Sequence, residues 1–483
     1  MTKRARALMV QATGSSAGKT LLCLCLCKIA KGMGIDVVPF KAQNMSNNTV
    51  VTAKGGEASA AQWLQAISCS LVVNVNMSPV VIKPRAGFRS QVLVYGLSEC
   101  DGYVYPGSAE FRRFARASII SSFEQLSAHH ELVVIEGSGA SSEVNLREYD
   151  TSNMWLAKAL NCGVVLISDI ERGGALAALV GTRWLLAPNE LNLVKGFVIN
   201  KFSGKLSLLR PGLDLVKNKT GWPCYGVVPW LADSHKLPSE DSLWVRRNVV
   251  DSAYVGIIID LPFFCNYNDY TPLSTQLGIS VLYSKAPPAC VWENVKFVIV
   301  PDTTSVRAAL EYITNSGWDF YIRSACRKGV LIVGVGAGLL MLSNRFALAD
   351  ATLFGLGLLS ANVSVLNILP LQVGCVCKVL NAAVSVGVSK LMCFSRVGAN
   401  SAPVLPLLTN ANVEYGVYSN NVWGVGVQGL FLNDLFRHSF LEALGVRSRF
   451  DSYLGKVDEA IAGVAYRVMS NLSPEFLSLI EGG

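Results

Sequence analysis

The stretch that most constrains this chain is residues 11–20, which read Gln-Ala-Thr-Gly-Ser-Ser-Ala-Gly-Lys-Thr. An apolar run, residues 7–10, precedes it, and a helix-like segment, residues 21–30, follows it. This order predicts strand, loop and helix. Backbone N–H groups in such a loop, and the positive end of the helix, attract anions, so the pattern predicts a phosphate-binding loop. Lys19 would reach the outer phosphates, and the Thr20 hydroxyl would bind Mg²⁺.

The loop departs from the usual G-x-x-x-x-G-K-[ST] spacing, because Thr13 occupies the first glycine position and Gly14 follows one residue later. Gly-Lys-Thr alone occurs often by chance, and an ordinary turn between a strand and a helix is the plainer alternative. Its place between a predicted strand and a predicted helix favours nucleotide binding. The nucleotide-binding residues that we predict are Gly14, Ser15, Ser16, Ala17, Gly18, Lys19, Thr20 and Asn200.

Length and composition restrict the class of protein. A chain of 483 residues is too long for one core and predicts two or three domains, and 51% hydrophobic with 16% charged residues is typical of a globular protein. The net charge of +8 is spread without basic blocks, which favours small anionic ligands over nucleic acid. Thirteen cysteines without a C-x-x-C pair, no secretory signal and no membrane-length apolar run predict a cytoplasmic protein with reduced thiols and no membrane partner.

Polar side chains follow several predicted strands. Residues 36–40 are followed by Lys41 and by an amide-rich segment, residues 43–48, and an apolar run ends at Glu136. Ligands of open α/β sheets bind at the carboxyl ends of the strands, where these residues would meet. Glu136 takes the place of the magnesium-side carboxylate of many phosphate-loop enzymes, and Glu57 could be a second metal-binding or water-orienting carboxylate.

Strands alternate with helices up to residue 231, which predicts an α/β fold with a parallel, doubly wound sheet. Residues 232–250 are polar and are predicted to be a linker. A second α/β unit is predicted for residues 251–445, and residues 446–483 are predicted to form a helical tail.

Longer motifs extend over nearly the whole chain. They are Gln43-Asn44-Met45-Ser46-Asn47-Asn48, Gly55-Gly56-Glu57, Glu136-Gly137, Asn145-Leu146-Arg147-Glu148, Asp169-Ile170-Glu171-Arg172-Gly173-Gly174, Leu208-Leu209-Arg210-Pro211-Gly212-Leu213, Gly355-Leu356-Gly357-Leu358-Leu359, Trp423-Gly424 and Gly429-Leu430-Phe431. Together these motifs resemble the cobyric acid synthase family of cobalamin biosynthesis, and the amide-rich run is far more specific than the phosphate loop.

The resemblance implies an ATP-dependent amide ligase in two parts. The first part, similar to dethiobiotin synthetase, would activate a carboxylate of adenosylcobyrinic acid a,c-diamide with ATP and Mg²⁺. Ammonia would then give the amide, at the b, d, e and g side chains in turn. Lys19, Lys41 and Glu136 would be catalytic, and Thr20, Glu57 and Glu136 would bind the metal. The corrinoid would contact Gln43, Asn44, Asn47, Asn48 and Arg172.

The second part resembles a class I glutamine amidotransferase without its catalytic residues. The family has its nucleophilic cysteine where this chain has Gly336, and its histidine base where this chain has Gln428. Asp302 replaces a glycine near the oxyanion site, and Gly374-Cys375-Val376-Cys377-Lys378 replaces Gly-Tyr-Glu-Ile-His. Neither glycine nor glutamine can act as nucleophile or base, so we predict no glutamine hydrolysis. Free ammonia, or ammonia from a separate glutaminase, would be the nitrogen source, and the second domain would persist as a lid or a homo-oligomer surface.

Three other interpretations stay open at this point. The related cobyrinic acid a,c-diamide synthase shares the architecture, although the amide-rich run disfavours it. A ParA/MinD-like ATPase switch would act by binding partners, but such switches carry a second lysine near Ser15, and none is present. An inactive remnant is the last alternative. The substitutions concentrate on the glutaminase residues and leave Lys19 and Glu136 intact, which favours a working synthetase.

Overall fold

The computed structural model describes residues 5–87, 89–100, 108–238, 252–289, 292–348, 351–396 and 403–482. The strands of its first part are β1 (Arg6–Ala12), β2 (Val37–Phe40), β3 (Gln43–Met45), β4 (Thr49–Val51), β5 (Glu57–Ser59), β6 (Val80–Arg85), β7 (Arg89–Val94), β8 (Leu97–Cys100), β9 (Leu132–Glu136), β10 (Gly163–Asp169), β11 (Val194–Phe202) and β12 (Cys224–Pro229). Its helices are α1 (Lys19–Gly32), α2 (Ala60–Ser68), α3 (Ala109–Ser127), α4 (Met154–Leu160), α5 (Ala175–Leu185), α6 (Pro188–Leu191) and α7 (Leu206–Thr220).

Six parallel strands form the first sheet, in the order β12-β11-β10-β1-β9-β2. Its strands are buried on both faces because alternate side chains enter two different cores: Met9 of β1 faces one core, while Leu8 and Val10 face the other. The parallel, doubly wound sheet predicted from the sequence is confirmed. The phosphate-loop strand β1 is central, so its carboxyl end lies beside those of β9 and β10.

The second part contains the strands β13 (Tyr254–Ile259), β14 (Ile279–Ser284), β15 (Val295–Val300), β16 (Leu331–Val335), β17 (Ser343–Leu348), β18 (Ala351–Phe354), β19 (Leu359–Cys377), β20 (Ala382–Arg396), β21 (Leu405–Asn410), β22 (Val413–Ser419) and β23 (Val422–Val425). Its helices are α8 (Thr271–Ser274), α9 (Val306–Asn315), α10 (Trp318–Arg327), α11 (Ala337–Leu342) and α12 (Asp434–Ala443). They surround an 11-stranded sheet whose parallel part runs β14-β13-β15-β16-β23.

Two helices close the chain, α13 (Tyr453–Met469) and α14 (Pro474–Glu481), and they pack on the first sheet. Val457 and Ile461 of α13 belong to the same buried cluster as Leu22 of α1. Lys28 of α1 pairs with Asp458 at 2.6 Å. The helical tail therefore contributes core to the first part of the protein, a contact that no local sequence pattern indicated.

The predicted linker begins with a short 3₁₀ turn, Ala232–Lys236. Residues 239–250 of that linker lie outside the described part of the chain. Among the described residues, no helix is both long and apolar enough to cross a bilayer.

Candidate functional site

The predicted phosphate loop connects β1 to the N-terminus of α1. Gly18 has a φ of +101°, and an added Cβ would lie 2.3 Å from the Asn200 side-chain nitrogen, so only glycine fits there. That Asn200 nitrogen donates a hydrogen bond to the Ala17 carbonyl oxygen at 2.8 Å. The first turn of α1 contains no acidic residue and no side-chain cap. The N–H groups at this helix start are therefore oriented to bind an anion.

Four polar side chains meet at the carboxyl end of β9. The Glu136 carboxylate is 1% exposed. Its Oε1 accepts hydrogen bonds from the Thr20 hydroxyl at 2.8 Å and from the Lys41 ammonium at 2.7 Å. Its Oε2 accepts a hydrogen bond from the Gln65 side-chain amide at 2.7 Å. The structure thus brings together three residues predicted from the sequence, Thr20, Lys41 and Glu136, and adds Gln65.

Lys19 lies in the same region, because its ammonium donates a hydrogen bond to the Gly139 carbonyl oxygen at 2.7 Å. Gly139 follows β9, so the loop lysine reaches across the strand ends from α1 towards the chain after Glu136. Lys41 therefore contacts the Glu136 carboxylate itself, while Lys19 contacts the chain three residues after it. Such an arrangement can neutralise the charge of a polyphosphate.

The donor set at this point fits Mg²⁺. A hydroxyl oxygen and a carboxylate oxygen, from Thr20 and Glu136, are within 2.8 Å of each other and are the hard ligands that Mg²⁺ prefers. The described residues contain no group of three or more His, Cys, Asp or Glu side chains able to hold a metal. A magnesium ion here would complete its coordination with water and phosphate oxygens, as Mg²⁺ sites usually do.

Glu57 was predicted as a third metal ligand, but the structure gives it other partners. It is 6% exposed, forms an ion pair with Lys83 and accepts a hydrogen bond from the Thr49 hydroxyl. Burial alone raises the pKa of Glu57, but the charge and the hydrogen bonds from Lys83 and Thr49 outweigh it and lower that pKa. The structure pairs the Glu57 carboxylate with Lys83, whereas the Thr20 hydroxyl contacts the Glu136 carboxylate directly.

The Glu57–Lys83 pair gives a stability prediction. Glu57→Gln leaves the Lys83 ammonium buried without its counter-charge, so we expect the free energy of unfolding to fall by about 3 to 5 kcal/mol. The double variant Glu57→Gln/Lys83→Met removes the stranded charge and should recover most of the loss. The matched control is Asp458→Asn, which breaks an ion pair whose carboxylate side chain is 49% exposed and should cost less than about 1 kcal/mol. Urea unfolding measures all three, and equal losses for Glu57→Gln and Asp458→Asn would contradict the assignment.

The residues predicted to contact the corrinoid have different surroundings. Gln43 accepts a hydrogen bond from the Thr151 hydroxyl at 2.9 Å, and Asn44 donates one to the Ser59 hydroxyl. The Asn47 side-chain oxygen is buried and has no hydrogen-bond partner among the described residues, so a donor from a ligand could satisfy it. Arg172 is exposed after β10. It lies on the opposite side of β1 from this segment, so the structure does not group it with the amides.

Two contributors to the site escaped the sequence analysis. Gln65 is fully buried in α2 beside Glu136, and the only sequence signal was a pair of glutamines, Gln62 and Gln65, in a mostly apolar helix. Lys201 follows Asn200 and pairs with Asp169 at 2.7 Å, while it also donates to the Ser16 carbonyl oxygen at 2.9 Å. Lys201 therefore connects the phosphate loop to the end of β10.

The second part keeps the kind of backbone turn that carries a nucleophile, but the residue at this turn is Gly336, which has no side chain. Gly336 lies between β16 and α11 with φ +58° and ψ −120°, the sharp strand-to-helix turn that exposes a nucleophile in other enzymes. Its N–H donates to the Val425 carbonyl oxygen at the end of the neighbouring strand β23. Gln428, at the predicted position of the base, follows this strand and exchanges two backbone hydrogen bonds with Gly387.

Asp302 fills the space beside this turn. Its Oδ1 accepts hydrogen bonds from the N–H of Ala337 at 2.8 Å and of Thr303 at 2.9 Å. A Cβ added to Gly336 would lie 2.5 Å from the Asp302 carboxyl carbon. The Ala337 N–H directly follows the nucleophile position, which is where an oxyanion donor stands in such turns. The Asp302 carboxylate therefore takes the place of both a nucleophile side chain and an oxyanion.

A second buried carboxyl lies nearby, at Asp269. Its Oδ2 accepts a hydrogen bond from the Gly429 N–H at 2.6 Å. Burial raises the pKa of Asp269 to about 7, with the Gly429 hydrogen bond lowering it and the charge of Asp302 raising it further. This carboxyl changes its charge near neutral pH.

That titration predicts a pH dependence of stability. The native pKa of Asp269 is above the unfolded value of about 3.9, so its stabilising proton is fully effective below that value and is lost as the pH rises through about 7. Asp269→Asn removes the free-energy cost of holding an ionised carboxylate in this buried position above about pH 7. The thermal midpoint of the variant relative to the wild type should be higher at about pH 8 than at about pH 5. A difference that does not change between these two pH values would contradict the prediction.

Family models match both parts of the chain. Residues 8–244 match the family model of the CobQ/CobB/MinD/ParA nucleotide binding domain, and residues 257–377 match that of the CobB/CobQ-like glutamine amidotransferase domain. A solved structure of a glutamine amidotransferase is 19% identical and covers 40% of this chain and 99% of its own, with a TM-score of 0.33, a level from which no functional conclusion follows.

Curated relatives extend over nearly the whole chain. A cobyric acid synthase of Rhodobacter capsulatus is 33% identical over 480 residues, which covers 96% of this chain and 98% of that protein. A cobyric acid synthase of Jannaschia sp. is 35% identical over 457 residues, or 91% of this chain and 92% of its own. The chain therefore belongs to the cobyric acid synthase family.

Proposed function

We propose that this chain is an ATP-dependent ligase that amidates the b, d, e and g carboxylates of adenosylcobyrinic acid a,c-diamide in the cytoplasm. We further propose that it takes its nitrogen from free ammonia or from a separate glutaminase. The observation that carries the first part is the convergence of Lys19, Thr20, Lys41 and Glu136 at one edge of the sheet. Family membership supports the corrinoid as substrate.

In this proposal, phosphoryl transfer from ATP turns a corrinoid carboxylate into an acyl phosphate, which ammonia then converts to the amide. Phosphoryl transfer needs positioning and charge neutralisation more than covalent participation by the protein. The N–H groups at the start of α1 would hold the phosphates, and Lys19 and Lys41 would offset the charge that develops on the transferred group. Magnesium, held by Thr20 and Glu136, would supply further positive charge.

The second part of the proposal is that glutamine hydrolysis has been lost. Gly336 has no side chain that could attack glutamine, and Gln428 cannot take a proton from a nucleophile. The Asp302 carboxylate already accepts the N–H groups that would stabilise an oxyanion, and it would repel a developing negative charge. Three separate requirements of the glutaminase reaction are thus unmet.

Incubation with ATP, Mg²⁺ and ammonium, followed by mass spectrometry of the corrinoid, tests the synthetase part of the proposal. We expect stepwise replacement of hydroxyl by amino groups, together with phosphate release that depends on the corrinoid. The Glu136→Gln variant is the matched control for the site, because it keeps the size of the side chain but removes its charge. ATP binding without any amidated corrinoid in the wild-type protein would contradict the proposal.

A further inference from the structure

Two loops of the second part contact the first part, one at the end of the amide-rich segment and the other at strand β6. We call residues 262–268 and 302–305 the seam loops. Both follow strands of the parallel half of the second sheet, β13 and β15, at the same edge as Gly336. This edge carries the glutaminase positions that are degenerate in this chain. The face that would have handled glutamine is therefore the face that meets the synthetase.

One seam loop hydrogen-bonds with the strand that carries Lys83. The Thr304 hydroxyl donates to the Pro84 carbonyl oxygen at 2.8 Å, and the Ala86 N–H donates to the Ser305 hydroxyl at 2.9 Å. Lys83 precedes these residues and pairs with Glu57. Strand β6 also pairs in parallel with β3, which begins the amide-rich segment, and the Ser46 N–H donates to the Ile82 carbonyl oxygen. A shift of this strand would therefore move the amide-rich segment.

The other seam loop holds the far end of that segment. The Asn266 side-chain oxygen accepts a hydrogen bond from the Thr49 N–H at 3.1 Å. The Asn48 side-chain oxygen accepts one from the Tyr267 N–H at 3.3 Å. Asn266 has a φ of +57°, a conformation that asparagine tolerates better than most residues. These contacts cross between the two parts of the protein and involve buried groups.

The Asp302 side chain stabilises the seam loop formed by residues 302–305. Its carboxylate accepts the N–H groups of Thr303 and Ala337. The Thr303 hydroxyl donates to the Pro262 carbonyl oxygen at 2.8 Å and accepts from the Ser305 N–H at 3.1 Å, so the two seam loops are joined. The residue that blocks the glutaminase site thus also fixes the turn that presents Thr304 and Ser305.

We infer that the seam loops are a positioning device for the synthetase, with Thr304 as a positioning residue. They hold residues 43–48 and the Glu57–Lys83 pair in the arrangement that binds the corrinoid. This role accounts for the persistence of a glutaminase fold without its catalytic residues. The inference rests on the proposed corrinoid substrate, and it assigns a use to a domain whose own reaction is absent.

The test compares two substitutions at one position. Thr304→Val keeps the size of the side chain but removes the hydroxyl and leaves the half-buried Pro84 carbonyl oxygen without this donor, whereas Thr304→Ser keeps the donor. The control is Thr314→Val, which removes an exposed hydroxyl that bonds within α9. Equilibrium dialysis measures the Kd for adenosylcobyrinic acid a,c-diamide, and calorimetry measures the Kd for ATP.

We expect Thr304→Val to weaken corrinoid binding about five- to tenfold with the ATP affinity unchanged, and Thr304→Ser and Thr314→Val to match the wild type. An unchanged corrinoid Kd in Thr304→Val overturns the inference. Parallel losses of corrinoid and ATP affinity also overturn it, because they indicate general damage to the fold. If the wild-type protein binds no corrinoid at all, the proposed function fails and this inference fails with it.

Discussion

Replacing Lys19 by alanine should lower ATP-dependent amidation by about a thousandfold or more. The Lys19 ammonium is the positive charge of the phosphate loop, and it contacts the Gly139 carbonyl in the chain that follows β9. Removal of one preorganised charge from a transferring phosphoryl group costs a factor of about 10² to 10³ or more in kcat. Lys31→Ala is the matched control, because Lys31 is an exposed lysine at the other end of the same helix. Its rate should equal that of the wild type.

The readout for Lys19→Ala is corrinoid-dependent phosphate release, measured beside the amide product. A variant that binds ATP and keeps more than a tenth of the wild-type rate would contradict the role given to Lys19. A variant with an unchanged thermal midpoint and no product would support it, because the loss would then lie in the chemistry and not in folding.

A cysteine at position 336 should destabilise the protein and should not restore glutamine hydrolysis. The new Cβ would lie 2.5 Å from the Asp302 carboxyl carbon, and overpacking of this kind costs about 1 to 3 kcal/mol. Asp302→Gly in the same chain removes the clash, so the double variant should be more stable than the sum of the two single effects predicts, by about 1 to 3 kcal/mol. The double variant still lacks a base, because Gln428 is unchanged.

The control for this cycle is Gly317→Cys. Gly317 also has a positive φ, +78°, but an added Cβ would meet nothing within 4 Å. Gly317→Cys therefore introduces backbone strain without a steric clash. Its effect on the free energy of unfolding should simply add to that of Asp302→Gly. Denaturant unfolding measures the cycle. Additive effects at positions 302 and 336 would contradict the claim that Asp302 occupies the nucleophile's space, as would glutamine hydrolysis by Gly336→Cys alone.

Local sequence was sufficient for the first sheet and for the centre of the site. The alternation of apolar strands and helices predicted the parallel sheet, and polar residues at strand ends predicted the meeting of Thr20, Lys41 and Glu136. The strands and helices can be predicted from patterns of a few residues. Once the strands are known to be parallel, their carboxyl ends must lie at one edge of the sheet, which brings the polar residues at those ends together.

Contacts between distant segments could not be predicted in this way. The sequence indicated Glu57 as a possible metal or water-orienting carboxylate, but in the structure it pairs with Lys83, which is 26 residues away in the chain. Gln65 gave only a weak signal because a buried glutamine in an apolar helix has no characteristic spacing. The tail helix α13 packs on α1 across more than 400 residues of chain, as the Lys28–Asp458 pair shows.

Residue identity alone predicts the loss of glutamine hydrolysis, and the position of Asp302 is consistent with that prediction. Substitution of glycine for cysteine removes a nucleophile, but the sequence could not indicate that Asp302 would fill the vacated space. The two positions are coupled sterically, because a side chain at 336 would require the Asp302 carboxyl group to shift. The neighbouring residues Thr304 and Ser305 form hydrogen bonds with the first part of the protein.

The most direct test of the central claim is the origin of the transferred nitrogen. The protein is incubated with ATP, Mg²⁺, adenosylcobyrinic acid a,c-diamide, glutamine labelled with ¹⁵N in its side-chain amide, and unlabelled ammonium. Mass spectrometry then reads the isotope in each new amide. We predict products that contain only unlabelled nitrogen, and no product when ammonium is omitted. Incorporation of ¹⁵N by a preparation free of other glutaminases would contradict the account, because Gly336 and Gln428 would then stand in a working glutaminase.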